Sequence, residues 1–349
     1  MQEYDFALSW SVKVKERFVD VLIKECYRCG LSFLWCCDEN VEDIIRKLKD
    51  NYLRAKFVLD TEATYNKEKD PYAYFCYAAK DTQAIVVNDP DRTRHAVDKS
   101  VMYYELMNAG IDVPYSVIVR HWQPSHFKLG NEEKKKLGIP FVIKPACGYA
   151  KEGVIEEARG SVNEIIRARK FDPNDSFILQ EKIFPVELEG KRAWFRVFHL
   201  FDKIIPCFWD DTTCIYSHIA ESEFRKFHLE PLAKIVAKIA SISQMQWFST
   251  EIAIDNKQNL GRFVAVDYVN DQCDMTSQSE SPTGVPDSIV DFTACYMVKM
   301  AEKLINNESL NTKYTVLLRD AEITLRGLGE FPLPLIQDRG FNVQAKAVS

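Results

Sequence analysis

Two hydrophobic periods alternate along the first third of the chain. Residues 5–10 read as a short strand. In residues 14–29 apolar side chains recur at Phe18, Val21, Leu22 and Cys26, a helical spacing, and the run closes at Gly30, a natural C-cap. A strand at 31–37, an amphipathic helix at 41–53 and a strand at 56–59 follow. This alternation predicts a small parallel α/β domain over residues 1–90. It carries no glycine-rich phosphate loop, so it lacks the signature of a dinucleotide-binding fold. Residues 65–77, rich in tyrosine and charge, read as a long connection with a helix inside it, and 84–87 as another strand.

Beyond residue 90 further helices and strands follow. Asp98-Lys99 opens a helix carrying Val101, Tyr104, Leu106 and Met107, which ends at Gly110. Strands at 115–119, 141–145, 154–158 and 176–182 enclose a short charged helix at 132–137 and another at 161–169. Strands at 192–200 and 203–209 are joined by a turn at Phe201-Asp202. A long amphipathic helix at 223–242 has Phe227, Leu232, Ile235, Val236 and Ile239 as its stripe. Two strands, from Phe248 and up to Asp267, flank a polar turn at 255–261. Residues 272–286, with Ser277, Ser279, Ser281, Thr283 and Gly284, form a candidate mobile loop. A helix at 288–305, a short helix at 314–325 and an extended tail complete the pattern.

Three places in this pattern carry chemistry. In the 248–254 strand Glu251 points away from Phe248, Thr250, Ile252 and Ile254. A hairpin brings it beside Asp267 and Asn270, and two carboxylates with an amide oxygen are hard donors suited to Mg²⁺. A surface hairpin with a polar tip is the plainer alternative. In Phe141-Val142-Ile143-Lys144-Pro145 a lysine sits in an apolar strand and must find an anion or reach solvent. The following segment holds Gly148 and Gly153, either a phosphate-covering loop or an ordinary turn. In residues 192–200, Arg192, Trp194, Arg196 and Phe198 share a face, so an inward arginine needs an anionic partner unless a nearby surface acid pairs with it.

Composition narrows the class. The chain has 349 residues, room for two or three domains, with 46% hydrophobic and 28% charged residues, as in soluble globular proteins. A net charge of −6 argues against a broad nucleic-acid platform. No apolar run approaches the roughly 20 residues of a membrane helix, and the first residues lack the order of a secretory signal. A cytoplasmic location is the expectation. Most of the ten cysteines lie in apolar runs, where a thiol behaves as a small hydrophobe. Cys26-x-x-Cys29 followed by the adjacent Cys36-Cys37 is a poor zinc spacing, because neighbours on a strand face opposite ways.

Taken in order, these parts resemble the ATP-grasp superfamily, which includes D-alanine–D-alanine ligase, glutathione synthetase and biotin carboxylase. The resemblance covers roughly residues 88–274. It implies a small parallel α/β domain followed by a two-part grasp: a first subdomain at 91–180, a second with the metal site at 181–310, and a C-terminal helix and tail at 311–349. Asp98-Lys99 and Gly110-Ile111-Asp112-Val113-Pro114 resemble the superfamily's D-K … G-I-P-V-P pattern, implying that Lys99 contacts phosphate. The 141–145 strand resembles V-V-K-P, implying Lys144 on the α- and β-phosphates, with Gly148 and Gly153 in the phosphate lid. Leu179-Gln180-Glu181-Lys182-Ile183 resembles the hinge that holds adenine, implying Gln180, Glu181 and Ile183 there. Glu187, or alternatively Glu189, falls where ribose is held. Arg196 resembles the arginine of D-x-R, implying contact with the transferred phosphoryl group. Glu251, Asp267 and Asn270 resemble the two acids and asparagine that hold two Mg²⁺ ions, Mn²⁺ being the alternative ion. Two departures stand out. Glu-x-Asn is here Asp267-Tyr268-Val269-Asn270, one residue longer, which makes Asp271 an alternative ligand; and Trp194 stands where D-x-R has its acid.

The resemblance implies an ATP-dependent ligase. A small-molecule or peptide carboxylate is phosphorylated, and an amine or thiol displaces phosphate from the acylphosphate. A kinase acting on a hydroxyl, as the inositol trisphosphate kinases of this fold do, and a nucleotide-binding protein without turnover are the alternatives. Candidates for reading the substrate are Arg92, Arg94, His95, Arg192, Asp274 and Ser279, though the 91–95 cluster reads equally as a solvated loop. Superfamily members are often dimers, so a homodimer is implied as well.

Overall fold

In the computed structural model of the protein, the residues described are 1–11, 16–124, 126–148, 151–257, 261–306 and 322–323. The chain is mixed α/β. Strands β1 (Gln2–Ser9), β2 (Phe33–Cys36), β3 (Leu53–Leu59) and β4 (Ile85–Val87) form a parallel sheet in the order β2-β1-β3-β4. Helices α1 (Arg17–Arg28), α2 (Val41–Lys49) and α3 (Pro71–Asp81) connect them. The helix expected inside residues 65–77 thus begins at Pro71, where the Asp70 carboxylate accepts the Ala73 N–H and proline occupies the first turn.

Asn88, just past β4, ties this sheet to a distant segment at Gln246 and Trp247. It is buried, its amide nitrogen donates to the Trp247 carbonyl at 2.6 Å, and its Oδ1 accepts the Gln246 and Trp247 N–H groups at 2.9 Å each. Helices α4 (Pro90–Ala96) and α5 (Lys99–Asn108) come next, the latter capped by Asp98, which accepts the N–H groups of Ser100 and Val101.

The second sheet contains β5 (Ser116–Val119), β6 (Phe141–Pro145), β7 (Ile155–Ala158) and β8 (Phe177–Glu181), antiparallel in the order β5-β8-β6-β7. Helices α6 (Asn131–Leu137) and α7 (Val162–Arg169) belong to the same region, and Leu137, Ile165 and Ala168 enter its core. A two-residue ladder, β9 (Glu187–Leu188) with β10 (Lys191–Arg192), precedes the third sheet. That sheet joins β11 (Trp194–Leu200), β12 (Lys203–Trp209), β13 (Tyr216–His218), β14 (Trp247–Asp255) and β15 (Arg262–Asn270) in the antiparallel order β13-β12-β11-β14-β15.

Three expectations need correction. The single helix over residues 223–242 is two, α8 (Glu221–Lys226) and α9 (Glu230–Ser243). His228 between them takes φ +52°, and Pro231, which has no N–H and would press on the carbonyl four residues back, starts the second helix afresh. The polar segment 272–286 is heavily bonded. Gln278 N–H donates to the Val285 carbonyl, Ser277 Oγ to Glu280, Ser279 N–H to Asp287, and the Gln278 amide to the Tyr216 carbonyl. Gly284 lies so close to Ser277 that a Cβ there would sit 2.4 Å from its carbonyl oxygen. The helix expected at 314–325 and the tail beyond lie outside the described residues, apart from β16 (Glu322–Ile323), which pairs parallel with β12 and is therefore strand.

Helix α10 (Asp287–Ile305) closes the molecule against the first sheet. Phe18 and Leu22 of α1, Phe198 and Leu200 of β11, and Ile289, Met297 and Ala301 of α10 share one core. Arg17 braces it with a two-pronged pair to Asp291 at 2.7 and 2.6 Å. Among the described residues no helix is long and apolar enough to cross a membrane.

Candidate functional site

The chemistry gathers where the second and third sheets face one another. Lys144 near the end of β6 reaches across to the Val266 carbonyl of β15 at 3.2 Å, and Gln180 of β8 reaches the Tyr268 hydroxyl at 3.3 Å. The Lys144 ammonium lies 5.8 Å from the centre of the Tyr268 ring. Lys99, the first residue of α5, donates to the Gly148 carbonyl at 2.9 Å, while its own N–H donates to the Ala146 carbonyl. Both lysines face Asp267: Nζ of Lys99 is 3.7 Å from Oδ1 and Nζ of Lys144 is 3.9 Å from it.

Glu251 pairs across the ladder with Asp267 and, on its other side, with Arg196 of β11. Arg196 Nη2 meets Glu251 Oε1 at 2.7 Å, and the Trp194 indole N–H donates to Oε2 at 3.2 Å. The Arg196 guanidinium lies 4.8 Å from the Trp209 ring centre, and its Nη1 faces Ser249 Oγ at 3.4 Å.

The long Asp-x-x-Asn spacing is reconciled by the backbone. On a regular strand two side chains three residues apart face opposite ways. Here Ser249 pairs with Asn270 and Glu251 with Asp267, so two steps on β14 oppose three on β15. The bulge turns Asn270 back to the face of Asp267, its amide nitrogen 3.5 Å from Ser249 Oγ, while the consecutive Tyr268 and Val269 both enter the core behind. A second irregularity between Asp267 and Ala265 leaves Val266 without a cross-strand partner, and its carbonyl is the one Lys144 takes.

Electrostatics follow from burial and from these neighbours. Burial lowers Lys144 below the usual lysine range, Asp267 opposing only in part. Burial would raise Asp267, yet Lys99, Lys144 and Arg196 together hold it below the ordinary carboxylate range. Burial also works against the Arg196 charge, but Glu251 foremost keeps the guanidinium firmly protonated. Asp267 Oδ1 is a buried acceptor with no hydrogen-bond donor. An orphaned carboxylate oxygen beside Asn270 and Glu251 is what a hard divalent cation fits.

The remaining candidates are spread more widely. Gly148 and Gly153 frame a segment whose residues 149–150 are outside those described. Both are sterically required: a Cβ at Gly148 would meet Pro145 Cγ at 2.3 Å, and one at Gly153, where φ is +69°, would meet the Phe171 ring at 2.6 Å. Glu181 is engaged by the Tyr115 N–H at 3.1 Å and by Lys257. Ile183 lies in an apolar cluster with Trp194, Trp209, Ala253 and Val264, on strands β11, β12, β14 and β15. Glu187 is exposed on β9; Glu189 pairs with Lys226. At Asp271 burial first and then the charge of Asp60 push the carboxyl up to about 7. Arg192 makes a surface pair with Asp211 at 2.6 and 2.9 Å, as its plainer reading had it. Arg92 and His95 line a separate cleft with Lys80, Asp89, Asp91 and Glu105, and Arg94 follows on the same short helix. Asp274 caps the Thr276 N–H and Ser279 bonds Ser277. Ser249 faces the cleft and was passed over by sequence reasoning, and Trp194, singled out there as standing where D-x-R has its acid, proves to bond Glu251. The signal for Ser249 was available, since it alternates by two with Glu251 on its strand.

No family model matches the sequence, and no curated protein matches it. Solved structures do match in fold. D-alanine–D-alanine ligase from Bacillus anthracis, complexed with ATP, superposes with a TM-score of 0.61 at 13% identity, over 88% of this chain and 99% of that one. The chain has the ATP-grasp fold. The ATP-grasp ligase PsnB, complexed with minimal precursor, Mg and ADP, gives a TM-score of 0.55 at 10% identity, over 88% of this chain and all (100%) of its own. D-cycloserine synthetase DcsG gives 0.56 at 15% identity, over 86% and 99%. At such identities the likeness extends to the ATP-grasp architecture, and activity has to be read from the side chains themselves.

Proposed function

We propose that this protein is an ATP-dependent ligase that activates a carboxylate as an acylphosphate for attack by an amine or thiol. The observation that carries the reading is the convergence of Lys99, Lys144 and Arg196 on one carboxylate-lined face of an ATP-grasp cleft. A buried lysine with a depressed pKa and no anion at hydrogen-bonding distance is poised for a phosphate. Lys144 and Lys99 would bind the phosphate chain of ATP. Arg196, held in place by Glu251 and Trp209, would neutralise charge building on the transferred phosphoryl group. Asp267 and Asn270, with Glu251 beside them, would offer the oxygen donors for Mg²⁺, which when bound would offset the charge of the phosphate oxygens. Among the solved structures of similar fold, one holds ATP and another Mg and ADP, which supports the same ligands here.

The acceptor would enter beside the carboxyl ends of β1 and β3, the usual ligand side of a parallel sheet. The segment after β15 reaches that edge, where the Gln272 amide donates to the Ala63 carbonyl at 2.7 Å. Ser9, Asp60 and Tyr65 are bonded into one rigid turn there. Arg196 would position the phosphoryl group, and this turn would line the acceptor side. The test is Mg²⁺-dependent ADP release from ATP across a matrix of carboxylic acids and amines. Release that requires an acid and an amine together supports the ligase. Release with a hydroxyl acceptor alone assigns a kinase instead, and no release with any acceptor assigns a nucleotide-binding protein.

A further inference from the structure

This inference rests on the nucleotide reading and concerns how many metal ions the site takes. Both oxygens of Glu251 already carry N–H donors, Oε1 from Arg196 at 2.7 Å and Oε2 from Trp194 at 3.2 Å. Neither donor has an easy alternative. Arg196 is stacked on Trp209 and faces Ser249, and Trp194 is only 8% exposed in a cluster with Ile183, Trp209, Ala253 and Val264. Drawing Glu251 onto a cation would break its 2.7 Å pair with the buried Arg196, and breaking a buried ion pair is costly. Asp267 is in the opposite position. Its Oδ1 is buried with no donor, and the two lysines facing it stay at 3.7 and 3.9 Å, beyond hydrogen-bonding distance. The bulge places Asn270 on the same face, and only its amide nitrogen is directed to Ser249, leaving the amide oxygen open. The open hard oxygens are therefore on β15, and the occupied ones on β14.

We propose that the site holds one divalent cation, on Asp267 and Asn270, and that Trp194 is a positioning residue which keeps Glu251 as the fixed counter-charge of Arg196. Trp194 does two things that a carboxylate at that position would not. It donates a hydrogen bond to Glu251, and it adds no negative charge that would call for a second cation.

The test is an Mn²⁺ titration of the full chain with saturating AMPPNP, with free Mn²⁺ followed by its EPR signal. One Mn²⁺ per nucleotide-loaded chain is expected. Asp267→Asn should weaken that ion at least about 100-fold, the upper range for loss of groups around a metal. Trp194→Phe keeps the ring but frees Glu251 Oε2, and should raise the count towards two. Two ions in the unmodified protein with AMPPNP bound would overturn this inference and leave the nucleotide reading intact. One ion retained in Trp194→Phe would remove the role given to Trp194. Failure of AMPPNP to bind would overturn both readings.

Discussion

Asp267→Asn is expected to lower Mg²⁺-dependent turnover about 10³-fold or more while the chain stays folded. The scale follows from phosphoryl transfer, where removing one element of charge stabilisation costs on the order of 10³ to 10⁵ in rate. Asparagine keeps the size of the side chain and removes the charge that faces Lys99 and Lys144. The sign on stability follows from the pKa. The folded carboxyl lies below its ordinary value, so ionised Asp267 stabilises the fold above that ordinary value and the contribution is lost as pH falls through the lowered one. Asparagine forfeits it at neutral pH, and a modest fall in Tm is expected. Metal-free ATP should bind as well as before or more tightly, because the three cations then face one carboxylate fewer. Steady-state kinetics and nucleotide binding without metal, measured on the same variant, check the split. Full activity would shift the ligand role to Asp271, the alternative that the sequence offers.

Lys144→Ala has the opposite signature. A charge-assisted hydrogen bond to a phosphate contributes about 1.5–3 kcal/mol, so ATP affinity should fall roughly 10- to 150-fold. Turnover should fall further, since the same ammonium would follow the phosphate chain into the transition state. Stability should not suffer. Burial lowers the folded pKa of Lys144, which means that its charge disfavours the fold at neutral pH. The variant without nucleotide should therefore melt at or above the unmodified protein. Calorimetric binding of AMPPNP beside a melting curve separates this from general damage. Unchanged nucleotide affinity would take Lys144 out of the site.

Much of this geometry was legible in the sequence because it depends on period. A hairpin that brings Glu251 near Asp267 follows from two strands around a polar turn, although the irregularity at Val266 is what sets them directly opposite, and the apolar neighbours of Lys144 already required an anion or water at its tip. Spacing alone misled where the backbone departs from regularity. Asn270 lies three positions after Asp267, which on a regular strand would put the amide on the wrong face, and the bulge that corrects it leaves no mark in the composition. The stripe from Phe227 to Ile239 reads through Pro231, yet the proline divides it into α8 and α9. Arg192 looks in register with Arg196, but the strand breaks at Ala193, whose N–H bonds Val186 and whose carbonyl accepts from Ile254. The indole of Trp194 on Glu251 joins side chains 57 positions apart, a contact that only the packed sheet brings about.

Everything proposed for this cleft depends on its binding ATP with a divalent metal. Thermal unfolding with Mg²⁺ and AMPPNP together, against each alone, asks that question of the whole chain. A ligand at 100 times its Kd adds about 2.7 kcal/mol of stability, which moves the midpoint measurably. The expected outcome is a rise with AMPPNP that grows when Mg²⁺ is added and that shrinks in Lys144→Ala. An unchanged midpoint under every condition would contradict nucleotide binding in this cleft.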